Sequence, residues 1–290
     1  QVDSSVIQTV ASSQIAGGKM VPKLEIFGER INSTRPSVAE ALEERDRVFL
    51  QKEALDQVSA GANVIDVHTG TFWHKEPEYV VWAIEAIQEV VDVPIAVDSL
   101  NPGVLATGLQ ACRKKEEAIA NSITLDKERV EEVLPLVREY SCKVVALTID
   151  QEGRIPETAK GRLEIAQKLV AEVDRYGIPR HRLYLDALGM PIGVDTGQGL
   201  VVLESLKLMK AAFPDVKTII STTAVSYGLP NRRLIHRSFL PMLLAFGLDA
   251  VVLDPLDKEL MATVIACEAL LDRDEFCQKY VRAHREGKLA

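Results

Sequence analysis

The sequence predicts an α/β protein folded as a single-domain (β/α)8 (TIM) barrel, and three observations carry that expectation. Eight short apolar runs alternate with longer segments of helical spacing. The runs end on polar residues, namely Glu29, Asp66, Asp98, Asn121, Asp150, Asp186, Ser221 and Asp254. Neither GxGxxG nor GxxxxGKS/T follows any of them, which removes the usual reason to prefer an open doubly wound sheet. Strands separated by helices must pair in parallel, because a crossover of that length returns to the same edge of the sheet. Eight such units in about 250 residues are what a closed barrel needs.

In chain order, residues 1–20 are rich in Ser, Ala and Gly and lack both a basic start and a continuous apolar segment. They are expected to form an extension outside the fold, with Met20 a candidate natural start, and the barrel is expected over 21–290. Strands are expected at Leu24–Phe27, Asn63–Val67, Pro94–Val97, Ala118–Ala120, Lys143–Thr148, Leu183–Leu185, Lys217–Ile220 and Ala250–Leu253. Ser37–Ala60 carries Val38, Leu42, Val48, Leu55 and Val58 at helical spacing and stops at Gly61. Pro77–Val91 and Leu125–Tyr140 repeat the pattern, and Asn101-Pro102 reads as a cap and first turn. Ala159–Tyr176 stops at Gly177, and Leu200–Phe213, Asn231–Phe246 and Lys258–Leu271 complete the set.

Composition excludes several classes of function. A hydrophobic content of 47% with 26% charged residues fits a globular protein with a substantial core. A net charge of −8 argues against wrapping nucleic acid or lying on an anionic membrane. No run of 18 apolar residues is present to span a bilayer. Cys112, Cys142, Cys267 and Cys277 form no CxxC, which points to reduced thiols in a cytoplasmic protein.

In a barrel, the loops after the strands gather at one mouth. That mouth would hold Glu29 and Asn32, Asp66 and His68, Asp98, Asn121, Asp150, Asp186, and Ser221-Thr222-Thr223 with Ser226. Carboxylates and amides with few Lys or Arg suit a neutral or cationic heterocycle that offers N–H donors, and suit a phosphate poorly. A single strand-end Asp is more often a cap or loop partner, and Asp66, Asp150 and Asp254 are each assigned that role. His68 and His74 lack a third ligand at recognisable spacing, so they read as a loop polar pair and no metal is expected. Asp66-Val67-His68-Thr69-Gly70 departs from the cobalamin-binding DxHxxG run, its Gly coming one place early. Phe72 and Trp73 read as loop packing or a partner contact.

Four motifs now align in order. Gly28-Glu29-Arg30-Ile31-Asn32, Val97-Asp98-Ser99, Ala120-Asn121-Ser122 and Tyr184-Leu185-Asp186 follow the first, third, fourth and sixth strands. The chain from about Leu24 onward resembles the pterin-binding methyltransferases, and among them the methyltetrahydrofolate:corrinoid protein methyltransferases. Asn231-Arg232 and Phe239-Leu240 extend the likeness beyond the seventh strand. The resemblance implies a (β/α)8 barrel, usually a homodimer. It implies tetrahydrofolate or methyltetrahydrofolate as substrate, and a cobalamin (corrinoid) carried by a partner protein. Asp98 and Asp186 match the family's pterin-binding aspartates, and Asn121 matches an amide at the ring that would also serve catalysis. Glu29, Asn32 and Ser226 would complete the pterin site, with no metal required.

One position departs from the family. Relatives that take methyl from methyltetrahydrofolate place an Asn near N5 just after the seventh strand, where this chain has Ala224. Donation from folate needs electrophilic help at N5. The reverse reaction needs less, because free tetrahydrofolate offers N5 as a secondary amine. The expected reaction is therefore methyl transfer from a methylated corrinoid protein to tetrahydrofolate, within a demethylation pathway. Two alternatives compete with it. One is a dihydropteroate synthase, which should show basic groups where Ser221-Thr222-Thr223 and Asp254-Pro255 stand. The other is a non-catalytic folate-binding protein.

Overall fold

The computed structural model describes residues 23–289; the expected extension over 1–20 lies outside them. Eight strands, β1 (Glu25–Asn32), β2 (Val64–His68), β3 (Ile95–Asp98), β4 (Ile119–Ile123), β5 (Lys143–Leu147), β6 (Leu183–Asp186), β7 (Lys217–Ser221) and β8 (Ala250–Leu253), close a parallel barrel in sequence order. The helices are α1 (Pro36–Glu43), α2 (Arg47–Ala60), α3 (Glu76–Gln88), α4 (Pro102–Ala111), α5 (Lys127–Tyr140), α6 (Ala159–Arg175), α7 (Gln198–Ala212), α8 (Arg232–Ala245), α9 (Lys258–Leu270) and α10 (Gln278–Arg285).

Helix starts follow side-chain caps that satisfy otherwise orphaned N–H groups. Asp46, Asn101, Asp126, Thr158 and Asp257 accept from the backbone N–H of Phe49, Gly103, Arg129, Gly161 and Leu260. The first of these caps divides what the sequence pattern joined. Ser37–Ala60 is two helices, because Arg45 takes a positive φ of 56° and Asp46 caps a new start. Strands β2, β3, β6 and β7 run one residue past their expected ends and β1 and β4 run further, because hydrogen-bond pairing continues through the polar residues that closed the apolar runs. Strand β5 stops one residue short, and β8 ends as expected. The helix α10 lies beyond the last segment that the sequence pattern predicts as helical.

Two apolar layers result. A large cluster packs the outward face of the strands against the helices. The barrel interior is filled by one residue from each strand, Phe27, Val64, Ala96, Ile119, Val145, Tyr184, Ile219 and Ala250. Phe27 and Tyr184 meet edge to face, with centroids 5.8 Å apart. Below them, at the N-terminal end, Glu25 accepts from the Tyr184 hydroxyl and from Lys217 Nζ at 3.1 Å, with Lys143 Nζ 4.0 Å away. One carboxylate between two ammonium groups closes that end with its charge compensated. The seam between first and last strands is pinned above by Arg30, which binds Glu53 at 2.7 Å and Asp254 at 2.9 Å.

Candidate active site

Side chains alternate in and out along a strand. Two residues beyond the interior layer, the next inward positions are therefore Glu29, Asp66, Asp98, Asn121, Leu147, Asp186, Ser221 and Val252. Four carboxyl groups, an amide and a hydroxyl thus converge on one mouth at the C-terminal ends of the strands, where barrel sites form. Among the described residues, none of the four carboxyl groups has an ion-pair partner, in contrast to the closed lower end.

Burial is the main electrostatic fact of the site. It pushes Asp98 and Asp186 from the ordinary carboxyl value of 3.8 up to about 7. Glu76 adds repulsion at Asp98, while a Leu188 N–H bond and Arg162 oppose the rise at Asp186. Asp66, only 5% exposed, is raised well above the usual range by burial and then by Asp98, against a hydrogen bond from Asn121. Glu29 is raised from 4.5 to about 7 by burial, with Asp254 and Asp66 adding to the shift and Arg35 and Arg232 opposing it. Carboxyl groups raised in this way favour a ligand whose N–H groups stabilise their ionised form.

Several neighbours position these groups. Asn121 Nδ2 donates to Asp66 Oδ1 at 3.1 Å, leaving its carbonyl oxygen free. Asp186 Oδ1 accepts from Leu188 N–H at 2.7 Å. The loop after β6 is held from beneath by the fully buried Arg162. Its guanidinium donates to Pro156 O (3.0 Å), Leu188 O (2.8 Å) and Gln198 Oε1 (2.6 Å). Ser99, following Asp98, donates to the buried Glu76 at 2.6 Å. No sequence motif marks Arg162 or Glu76; their one signal is a charged residue on the apolar side of a helix.

The remaining expected residues divide between the mouth and the scaffold. Asn32 Oδ1 accepts from Thr34 N–H and hydroxyl, so its oxygen serves the loop. Ser226 is 0% exposed, and its hydroxyl is shared among Thr223 O, His236 and Arg232. It therefore reaches the mouth through the loop it fixes, rather than by touching a ring. Asp66, assigned from sequence to a cap, instead faces the barrel interior. Asp150 serves its own turn through Glu152 and Arg154 N–H groups, and Asp254 caps Leu256 and binds Arg30. His68 is half-buried and His74 exposed. Phe72 stacks on Tyr79 with centroids 4.1 Å apart, while Trp73 stands 80% exposed. Among the described residues, no cluster of three or more His, Cys, Asp or Glu is arranged to hold a metal ion. A cavity of about 260 Å³ opens beside Glu29 and is lined also by Thr222, Thr223, Arg232, His236 and Asp254.

Residues 28–255 of this barrel match the pterin binding enzyme family, and the chain belongs to that family. It is a methyltransferase, similar over most of its length to the methylcorrinoid:tetrahydrofolate methyltransferase of Eubacterium limosum. Identity to that protein is 30% over 266 residues, covering 91% of this chain and 97% of the relative. Methionine synthase of Mycobacterium tuberculosis is 27% identical over 242 residues, 78% of this chain but 20% of that much longer protein. Among solved structures, 7,8-dihydropteroate synthase from Vibrio fischeri superposes with a TM-score of 0.66 at 17% identity, covering 89% of this chain and 97% of its own. That likeness establishes the shared fold.

Proposed function

We propose that the chain moves a methyl group between a corrinoid protein and N5 of tetrahydrofolate, in the direction that forms methyltetrahydrofolate in a demethylation pathway. The observation that carries this reading is the inward layer of Asp98, Asn121 and Asp186. A pterin's pyrimidine edge presents an exocyclic amine and a ring N–H side by side, and a carboxylate accepts both at once. Asp98 and Asp186 are the buried acceptors for that edge. Asn121, with one N–H committed to Asp66, offers its carbonyl oxygen to the ring beside N5. Glu29 and Asn32 flank the ring from β1, and Ser226 holds the β7 loop against it.

The direction rests on Ala224, in the turn Ala224–Ser226 after β7. A methyl side chain there donates no hydrogen bond to a departing N5. In the forming direction the N5 lone pair attacks the methyl carbon, the carbon–cobalt bond breaks with its electron pair left on cobalt, and N5 then loses its proton. The corrinoid would arrive as a substrate carried by another protein. Exposed Leu100, Trp73 and Tyr227, on loops after β3, β2 and β7, supply apolar surface for that encounter. Four free cysteines fit a cytoplasmic setting. Exposed Leu234 and Met242 on α8 offer a face for the homodimer that the family likeness suggests.

The test is purified protein with methylcobalamin and tetrahydrofolate, with methyltetrahydrofolate the expected product. No methyl transfer, with dihydropteroate formed from p-aminobenzoate and the pterin pyrophosphate, would replace this reading by the synthase. Folate binding with no exchange, even with a corrinoid protein present, would reduce it to a binding protein.

A further inference from the structure

Methyl transfer at N5 moves one proton as well as one carbon. In the forming direction the attacking secondary amine becomes an ammonium and must give up its hydrogen. In the reverse direction N5 must gain a proton before the carbon–nitrogen bond can break. Asn121 can accept a hydrogen bond there, but a carboxamide cannot carry the proton away. The group that does so must reach N5, titrate in the working range and communicate with water.

Few side chains of the mouth meet all three conditions. Asp98 and Asp186 are occupied by the pyrimidine edge in the reading above. Asp66 is deeply buried and already receives a hydrogen bond from Asn121. His68 is held neutral by burial, and His236 faces Ser226. Glu29 remains. Among the described residues, no side chain or backbone N–H is bonded to its carboxyl group, and it lines the 260 Å³ cavity that opens beside it. Asp66 locates it relative to the ring: that carboxyl is hydrogen-bonded to Asn121 on one side and repels Glu29 on the other. Asn121 and Glu29 thus both neighbour Asp66 in the inward layer.

We propose that Glu29 is the proton carrier for N5, taking the proton released when N5 accepts the methyl group and returning it in the reverse reaction, with the lined cavity as its route to water. The proposal rests on the methyltransferase reading above. Its carboxyl group is poised for this by its surroundings. Burial, Asp66 on β2 and Asp254 beyond β8 raise it to about 7, while Arg35 after β1 and Arg232 on α8 restrain the rise. His236, Arg233 and Asp257 complete the charged groups lining the cavity. An acid–base group titrating near neutrality works best in both directions.

The experiment compares wild type with Glu29→Gln in single-turnover transfer between methylcobalamin and tetrahydrofolate, run both ways from pH 5.5 to 9, with tetrahydrofolate affinity measured alongside. Glutamine keeps the shape and removes a buried acid. The expected result is affinity within about threefold of wild type and transfer slowed on the order of 100-fold in both directions. The wild-type fall in methylfolate donation above pH 7 should disappear in the variant. Glu29→Asp should keep part of the rate with a shifted pH profile, which a purely structural role would not produce. Full transfer by Glu29→Gln, or loss of folate affinity with transfer unchanged at saturating folate, would overturn the proposal. Absence of transfer in wild type would instead overturn the reading on which it rests.

Discussion

Replacing Asp186 by Asn should strengthen the fold while it removes the folate site. The side chain is 9% exposed, and burial raises its carboxyl group from 3.8 to about 7. Between those values the folded protein keeps a proton that the unfolded chain has released, so stability falls as pH rises through that window. Roughly three units at ~1.4 kcal/mol each set a ceiling of ~4 kcal/mol above pH 7. Local relaxation and water penetration leave on the order of half, ~2 kcal/mol. Asn keeps the Oδ1 that accepts from Leu188 N–H at 2.7 Å, so the loop retains its anchor. At roughly 2 °C per kcal/mol for a chain of this size, thermal melting of the ligand-free variant should rise by about 4 °C at pH 8. At pH 5, a little over a third of the way through that window, the gain should shrink to about 1.5 °C. Calorimetry with tetrahydrofolate should show binding lost at both pH values. An equal gain at pH 5 and pH 8, a lower melting temperature, or intact binding would refute the reasoning.

Tetrahydrofolate affinity of the wild type should rise between pH 6 and pH 8, by up to about tenfold for each carboxylate that must ionise. The sign follows from Asp98 and Asp186, both raised to about 7 and both acceptors in the proposed function; titration calorimetry showing tighter binding at pH 6 would contradict it. Ala224→Asn should speed methyl donation from methyltetrahydrofolate roughly tenfold by adding a hydrogen-bonding group beside N5, measured as methylcobalamin formed from cob(I)alamin. Gly28→Ala should cost about 1–3 kcal/mol in chemical denaturation. A Cβ at residue 28 would lie 2.4 Å from the buried Gln57 Oε1, which accepts Arg30 N–H at 3.0 Å.

The barrel could be read from the chain because its signals are local. Apolar runs such as Ile95–Val97 and helix starts such as Asn101-Pro102 declare themselves within a few residues, and eight repeats then leave one topology. Asp98, Asn121 and Asp186 were legible for the same reason, each closing a strand inside a recognisable motif. Asp66 was assigned to the wrong place because a strand-end acid looks like a cap. Stepping by two from Val64 would have turned it inward, as stepping from Ala96 turns Asp98. Ser226 adjoins the mouth in sequence, but its contacts with His236 and Arg232 could not be read there, because they come from a helix that begins six residues later. Arg162, set between Pro156, Leu188 and Gln198, depends on packing between segments that no spacing rule connects.

The Arg30–Asp254 bridge joins residues 224 positions apart, at the seam where β1 meets β8. Until the last strand arrives, β1 and β7 each keep an unpaired edge of the kind that recruits other chains. A fragment ending before Ala250 would therefore be an open sheet prone to association rather than a smaller enzyme. Function in this chain is all-or-none with respect to length: the acids of the mouth face one another only after the final strand has closed the ring.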